Sequence, residues 1–137
     1  MRHILIATHA KMAEGVKNTL EFIVGERKEI TIINAYIDDI KLSSQIDAYL
    51  INIQESDELI ILTDILAGSV NQEMSLLQER AHTHIITGIN LPLVLGIAMA
   101  NDEKFLTQND IEKIIMDAKE SIIYVNNYVP EMDDDDE

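Results

Sequence analysis

The chain has no cysteine and few residues that interrupt regular structure. Its 137 residues include no cysteine, two prolines and five glycines. The lack of cysteine excludes disulfides and thiolate metal sites, and it is typical of a cytoplasmic protein. No apolar run approaches the roughly 18 residues that would indicate a membrane span, and the first residues lack the small-residue cleavage pattern of a signal peptide. We therefore expect a cytoplasmic protein with no direct membrane insertion.

Basic residues are also scarce in this chain. Ten Lys and Arg residues stand against 25 Asp and Glu residues, and the formal net charge is −15. A nucleic-acid backbone would repel such a surface, so the composition argues against nucleic-acid binding. The same charge can steer a basic surface of a protein partner. Because many of the acids lie at the end of the chain, we predict a single domain over residues 1–129 and an acidic, disordered tail over residues 130–137.

Apolar segments of two kinds alternate along the chain. Continuous or β-branched runs predict strands at residues 3–8, 29–35, 58–63 and 84–89, and a last short strand at 121–125. Helical spacing predicts helices over 10–24, from Ser43 or Ser44, from Ser69, over 90–99 and from Thr107. This order predicts an α/β fold with a mostly parallel sheet and helices on both faces. The last strand has no crossover after it, so it could lie antiparallel at an edge of its own sheet or of a neighbouring subunit's sheet.

Two of the predicted strands end next to residues suited to chemistry. His9 follows the first strand and Asp64 follows the third. In the common doubly wound order these strands are neighbours, which brings their carboxyl ends about 5 Å apart. A histidine can attack through one ring nitrogen while a carboxylate fixes the proton on the other. We predict His9 and Asp64 as a catalytic pair; the alternatives are a histidine that caps a helix and an ordinary turn aspartate.

A glycine and a serine follow Asp64 at the start of a predicted helix. Gly68 would let the backbone approach an anion, and the Ser69 hydroxyl with nearby backbone amides could bind phosphate oxygens. We predict Gly68 and Ser69 as phosphate-binding residues. The alternative is an ordinary turn in which Ser69 caps the helix and forms a capping box with Gln72.

Other kinds of site have little support in the sequence. His82 and His84 could bind a metal together, but no third ligand lies nearby, so we predict no metal site. The P-loop motif, the dinucleotide-binding glycine motif and the G-x-S-x-G nucleophile motif are absent. We accordingly predict no cofactor.

These residues, in this order, resemble the mannose-family IIA domain of the bacterial sugar phosphotransferase system. The resemblance rests on Thr8-His9 followed by Ala13-Glu14-Gly15, on Asp64 followed by Gly68-Ser69, and on the segment from Gly88 to Pro92. It implies that His9 accepts phosphate from the carrier protein HPr and passes it to a histidine of a IIB partner during sugar uptake. It also implies phosphorylation at Nε2, with Asp64 holding the other ring nitrogen, a strand order of 2-1-3-4, and a homodimer that exchanges the last strand.

The chain departs from the family's usual pattern at four positions near the predicted site. Ala10 replaces a glycine, Ile65 a threonine, Ala67 a glycine and Val70 a proline. The departures after Asp64 favour an alternative function, a regulatory or interaction domain of the same fold without catalysis. A second alternative is the phosphocarrier subunit of a dihydroxyacetone kinase, which shares the fold and a histidine at a strand end.

Overall fold

A computed structural model describes residues 1–130 of the chain. It contains four strands, which are β1 (Arg2–His9), β2 (Ile30–Ala35), β3 (Glu58–Thr63) and β4 (Thr83–Thr87). Its five α-helices are α1 (Met12–Val24), α2 (Leu42–Leu50), α3 (Ser69–Met74), α4 (Leu91–Ala98) and α5 (Gln108–Glu120). Short 3-10 helices follow at Ser75–Leu77 and Val125–Asn127. No helix of residues 1–130 has the length and apolar character needed to cross a membrane.

All the strand pairs of the sheet are parallel, and the strand order is β2-β1-β3-β4. The predicted α/β fold and strand order are confirmed. The two central strands, β1 and β3, are buried over most of their length because helices cover both faces of the sheet. This explains why their sequences are almost continuously apolar.

Alternate residues of the central strands enter two separate cores. Ile4 and Ile6 of β1 pack with residues of α1, α4 and α5, whereas Leu5 and Ala7 pack with residues of α2 and α3. Because successive side chains of a strand point to opposite faces of the sheet, each central strand packs against one group of helices on each face. This alternation also fixes the register, since a slip by one residue would exchange the two sets of side chains.

The register brings three strand ends to one edge of the sheet. Ala7 lies opposite Thr63 of β3, and His9 lies opposite Ala35 of β2. His9, the last residue of β1, therefore lies at this edge together with Tyr36 and Asp64, which directly follow β2 and β3.

The predicted last strand at residues 121–125 is wrong, and so is its antiparallel placement. The sheet of residues 1–130 is entirely parallel, and the chain after α5 forms a turn and then the 3-10 helix at Val125–Asn127. The backbone N–H of Ile122 donates to the carbonyl of Lys119, which extends the end of α5 into the predicted strand. β-Branched residues favour a strand only where a partner strand is available, and none pairs with this segment in the described part of the chain.

Two of the predicted helix starts also differ from the structure. Ser43 and Ser44 lie inside α2, whose N-cap is Lys41, and neither caps the helix. The Thr107 capping box of α5 is confirmed, with Asp110 as its reciprocal partner. The predicted acidic tail lies, except for Pro130, outside the described residues.

Candidate functional site

His9 and Asp64 lie side by side at the carboxyl edge of the sheet. The ring atom Nδ1 of His9 is 2.8 Å from Oδ2 of Asp64. The His9 side chain is 37% exposed and the Asp64 side chain 12% exposed. The imidazole is thus anchored on one side by a largely buried carboxylate and is open to solvent on the other.

Backbone groups fix the carboxylate of Asp64 as well. Oδ2 also accepts a hydrogen bond from the backbone N–H of His9 at 3.0 Å, and Oδ1 accepts one from the N–H of Ile65 at 3.0 Å. Partial burial by itself would raise the pKa of Asp64, but the hydrogen bonds from His9 and Ile65 together hold that pKa below its usual range. Asp64 is therefore ionised at neutral pH and acts as an acceptor.

An ionised Asp64 determines the tautomer of a neutral His9. Nδ1 must carry the proton and donate it to Oδ2, which leaves the lone pair on Nε2. Nε2 lies 3.5 Å from the hydroxyl oxygen of Ser69. This arrangement presents a nucleophilic nitrogen beside a hydroxyl group at the surface of the protein.

Ser69 does not take the capping role that the sequence suggested. Gly68 is the N-cap of α3, no side chain caps this helix, and Ser69 is its first residue. The predicted capping box with Gln72 is therefore wrong. The hydroxyl of Ser69 is instead 2.6 Å from the hydroxyl of Tyr36 and reaches toward His9.

Gly68 brings the loop after β3 into close contact with the imidazole. A Cβ atom at this position would lie 2.7 Å from Cε1 of His9 and 2.9 Å from Cγ1 of Ile65. The Gly68 N–H donates to the Ile65 carbonyl at 3.3 Å, so it stabilises the turn. The glycine at this position is required by space, because any side chain would displace His9 or Ile65.

Tyr36 is the residue of this edge that sequence reasoning missed. Its ring centroid lies 5.5 Å from that of His9, with an interplanar angle of 40°. Its position directly after β2 could have identified it. The carboxyl ends of neighbouring parallel strands lie at the same edge of the sheet, so a residue that follows β2 lies near the end of β1.

Buried hydrogen bonds brace the loop between β3 and α3. The Asn71 side chain is buried; its Oδ1 accepts from the Thr63 hydroxyl at 3.0 Å, and its Nδ2 donates to the Leu66 carbonyl at 3.2 Å. Thr8 plays a similar part for α1, since its hydroxyl accepts the N–H of Ala13 at 2.8 Å. The loops that carry the site are thus tied to the ends of the strands that precede them.

The remaining candidates have structural partners elsewhere. His3 contacts Asp57 at 2.9 Å, His82 packs against the ring of Phe105, and His84 donates from Nε2 to the Leu106 carbonyl at 2.9 Å. His82 and His84 therefore do not point to a common centre. Asn90 is the N-cap of α4, as its place before Leu91 and Pro92 indicated.

Comparison with known proteins gives one family over most of the chain. The family model EIIA-man, described as the PTS system fructose IIA component, matches residues 3–115. The mannose-specific EIIAB component of the PTS in Escherichia coli (strain K12) is 26% identical over 107 residues, which is 73% of this chain and 32% of that protein. The chain thus spans about a third of the length of the curated relatives it matches.

Solved structures agree with this comparison. A Klebsiella pneumoniae protein provisionally described as a phosphoenolpyruvate-dependent sugar phosphotransferase system (PTS) permease is 38% identical, with a TM-score of 0.84 and 92% of each chain covered. The PTS IIA protein associated with the fucose utilization operon of Streptococcus pneumoniae is 28% identical, with a TM-score of 0.73 and coverage of 91% of this chain and 93% of that one.

Proposed function

The chain belongs to the EIIA-man family, the PTS system fructose IIA component, and from this premise we propose that it is a phosphoryl carrier in sugar uptake. In this proposal His9 accepts a phosphoryl group from phospho-HPr and passes it to a IIB partner. Residues 1–129 form the single phosphocarrier domain. The chain then acts as a phosphotransferase component with a phosphohistidine intermediate, and it needs no cofactor of its own.

The observation that carries this proposal is the contact of 2.8 Å between Nδ1 of His9 and Oδ2 of Asp64. This contact assigns the proton to Nδ1 and frees the lone pair of Nε2, the ring nitrogen that lies beside Ser69. Phosphoryl transfer depends mainly on positioning and on stabilising charge, so a fixed imidazole on an open surface is enough.

The transfer from a phosphorylated donor imidazolium to neutral His9 conserves atoms and charge without moving a proton. The Nε2 lone pair attacks the phosphorus of phospho-HPr in line with the bond to the donor nitrogen. That bond breaks, its electron pair stays on the donor ring, and the bond from Nε2 to phosphorus forms. Because Nδ1 keeps its proton, the positive charge passes from the donor imidazolium to His9, where the ionised Asp64 stabilises it.

Gly68 and Ser69 are the proposed phosphate-binding residues. The Ser69 hydroxyl lies 3.5 Å from Nε2, so it is close enough to contact an oxygen of a phosphoryl group bonded to that nitrogen. Gly68 contributes by its lack of a side chain, since a Cβ would occupy the space beside Cε1 of His9. A hydrogen-bond donor placed at transferring oxygens stabilises the transition state.

The surface around His9 suits a protein donor. It includes the exposed side chains of Tyr36 and Ile65, because the Tyr36 ring lies 5.5 Å from that of His9 and the Ile65 N–H donates to Asp64. Exposed apolar side chains around a reactive group are typical of a docking surface for another protein. The net charge of −15 would steer a partner that carries basic residues.

We also propose a homodimer in which residues 121–125 cross to the partner. Ile122, Tyr124 and Val125 of this segment are 77%, 69% and 71% exposed. Together they form an apolar surface that a second copy of the chain would cover. We expect the full chain to sediment as a dimer and the I122D/V125D variant as a monomer, with F22D on α1 as an exposed control that stays dimeric. A wild-type chain that sediments as a monomer would refute the dimer.

Labelled phosphate tests the carrier function directly. We expect the wild-type chain incubated with ³²P-labelled phospho-HPr to form an acid-labile phosphohistidine. H9A should abolish the label, and the matched control H82A should keep it. Addition of a IIB protein should then discharge the label. A stable label that IIB does not discharge would favour the regulatory domain or the dihydroxyacetone-kinase subunit, and no label on the wild type would refute the proposal.

A further inference from the structure

Tyr36 is joined to His9 through the hydroxyl of Ser69. The Tyr36 hydroxyl oxygen is 2.6 Å from Ser69 Oγ, and Ser69 Oγ is 3.5 Å from Nε2 of His9. Tyr36 directly follows β2, Ser69 begins α3 and His9 ends β1. A short hydroxyl contact of this kind has only one proton between its two oxygens, so one of them must be the donor.

The backbone of Tyr36 is unusual for a residue with a large side chain. Its φ angle is 66°, in the left-handed region, and its side chain is 55% exposed. A bulky residue seldom adopts this conformation, and such residues are concentrated at functional sites. A tyrosine that merely covered the surface would not need this backbone or a polar partner beside the reactive histidine.

We propose that Tyr36 is a positioning residue that donates its hydroxyl proton to Ser69 and so directs the Ser69 proton toward the phosphoryl group on His9. This inference rests on the phosphoryl-carrier function proposed above. The ligand that it concerns is a phosphoryl group on Nε2, with its anionic oxygens facing Ser69.

The number of protons and lone pairs on the two hydroxyl groups supports donation from Tyr36 to Ser69. A serine hydroxyl has one proton and two lone pairs, so it can accept from Tyr36 and still donate to another atom. A phenol is a stronger acid than an aliphatic hydroxyl and is the better donor of the two. If Ser69 donated to Tyr36 instead, its lone pairs would face the phosphoryl oxygens and would repel them.

A double-mutant cycle tests the coupling between the two hydroxyls. We expect Y36F to slow transfer from phospho-HPr by about tenfold, which is the size of one hydrogen bond between neutral groups. S69A should slow it by about 100-fold, as the loss of a donor at a transition state does. Y36F/S69A should be no slower than S69A, and the changes should lie in kcat with KM for phospho-HPr unchanged. Y49F, which removes a tyrosine hydroxyl on α2, is the control and should react like the wild type.

A second measurement reads the same coupling without any transfer. In the unphosphorylated protein, ¹⁵N NMR of the His9 ring should show that Y36F moves the Nε2 resonance and leaves the Nδ1 resonance in place. In the S69A background, Y36F should move neither. These spectra separate the two proposals, because a wild type that phospho-HPr fails to label refutes the carrier function while the spectra still report on Tyr36.

Two results would overturn this inference. One is a ring spectrum of His9 that is the same in Y36F and in the wild type. The other is a Y36F effect on transfer that is equally large with and without Ser69, since Tyr36 would then act independently of that hydroxyl.

Discussion

Gly68 lies against the ring of His9 so closely that a Cβ atom there would be 2.7 Å from Cε1. We expect G68A to push the imidazole away from Asp64, because the other close neighbour, Ile65, is also too near to make room. Formation of phosphohistidine should fall by at least tenfold. Overpacking of this kind destabilises a protein by about 1–3 kcal/mol, which urea denaturation would measure alongside the transfer assay.

G15A is the matched control for this substitution. Gly15 lies in α1, and no atom comes within 4 Å of a Cβ built at that position. Alanine is a better helix former than glycine, so G15A should raise stability by about 0.5–1 kcal/mol and leave transfer unchanged. Equal activity of G68A and the wild type would show that the close contact does not hold the ring.

The hydrogen bonds to Asp64 should make stability depend on pH in a defined direction. D64N keeps the shape of the side chain but removes the charge, and at pH 7 it should cost about 1.5–3 kcal/mol, the value of hydrogen bonds to a charged group. The pKa of Asp64 is held below its usual range. Its stabilising effect is therefore complete above the unfolded-state pKa of about 3.9 and is lost as the pH falls through the folded-state pKa.

Urea denaturation between pH 7 and pH 3 would measure this effect. The difference between the wild type and D64N should stay constant down to about pH 4 and then shrink. D39N, in an exposed loop, is the control and should differ little from the wild type throughout. A difference that grows in acid would contradict the assignment of Asp64 as an ionised acceptor.

The pairing of His9 with Asp64 could be predicted because it follows from the strands alone. Two apolar runs, each ending on a polar residue, determine which residues leave a parallel sheet at its carboxyl edge. The order of the strands then brings the two side chains together. This reasoning needs only a two-residue period and the topology, both of which are properties of the backbone.

The rest of the site depends on contacts that no local pattern contains. Ser69 fitted a capping box with Gln72, but its hydroxyl contacts Tyr36, which follows β2 and is distant in sequence. Tyr36 itself lies in a left-handed conformation that the local sequence does not indicate. The prediction of a strand at residues 121–125 was wrong for a related reason. β-Branched residues form a strand only beside a partner strand, and residues 1–130 supply none for this segment.

A buried ion pair joins the amino ends of the two central strands, at the end of the sheet opposite to the site. Glu58 is almost fully buried between the Arg2 guanidinium and the backbone N–H of Leu106. We expect E58Q to cost about 3–5 kcal/mol, because it leaves the charge of Arg2 unpaired in a buried place. Since Glu58 begins β3 and the site lies at the other end of that strand, the folded fraction should transfer phosphate at the wild-type rate.

Chemical denaturation and the transfer assay at low temperature would check this expectation. E120Q, at the exposed end of α5, is the matched control and should lose less than about 0.5 kcal/mol, as ordinary surface substitutions do. A loss of activity in folded E58Q would mean that the two edges of the sheet are coupled.

Ala10 occupies a backbone conformation that favours glycine. Its φ angle is 52°, and its N–H donates to the Ala35 carbonyl at 2.9 Å, so the turn after His9 is held in the left-handed region. An L-residue pays about 1–2 kcal/mol there, and glycine avoids that cost but loses more backbone entropy on folding. We expect A10G to raise the free energy of unfolding by about 0.5–1 kcal/mol.

A48G makes the same change at an exposed position of α2, where it should lower stability by about 1 kcal/mol. Effects of opposite sign in urea denaturation would establish that the turn after His9 is strained by its alanine, whereas effects of the same sign would show that it is not.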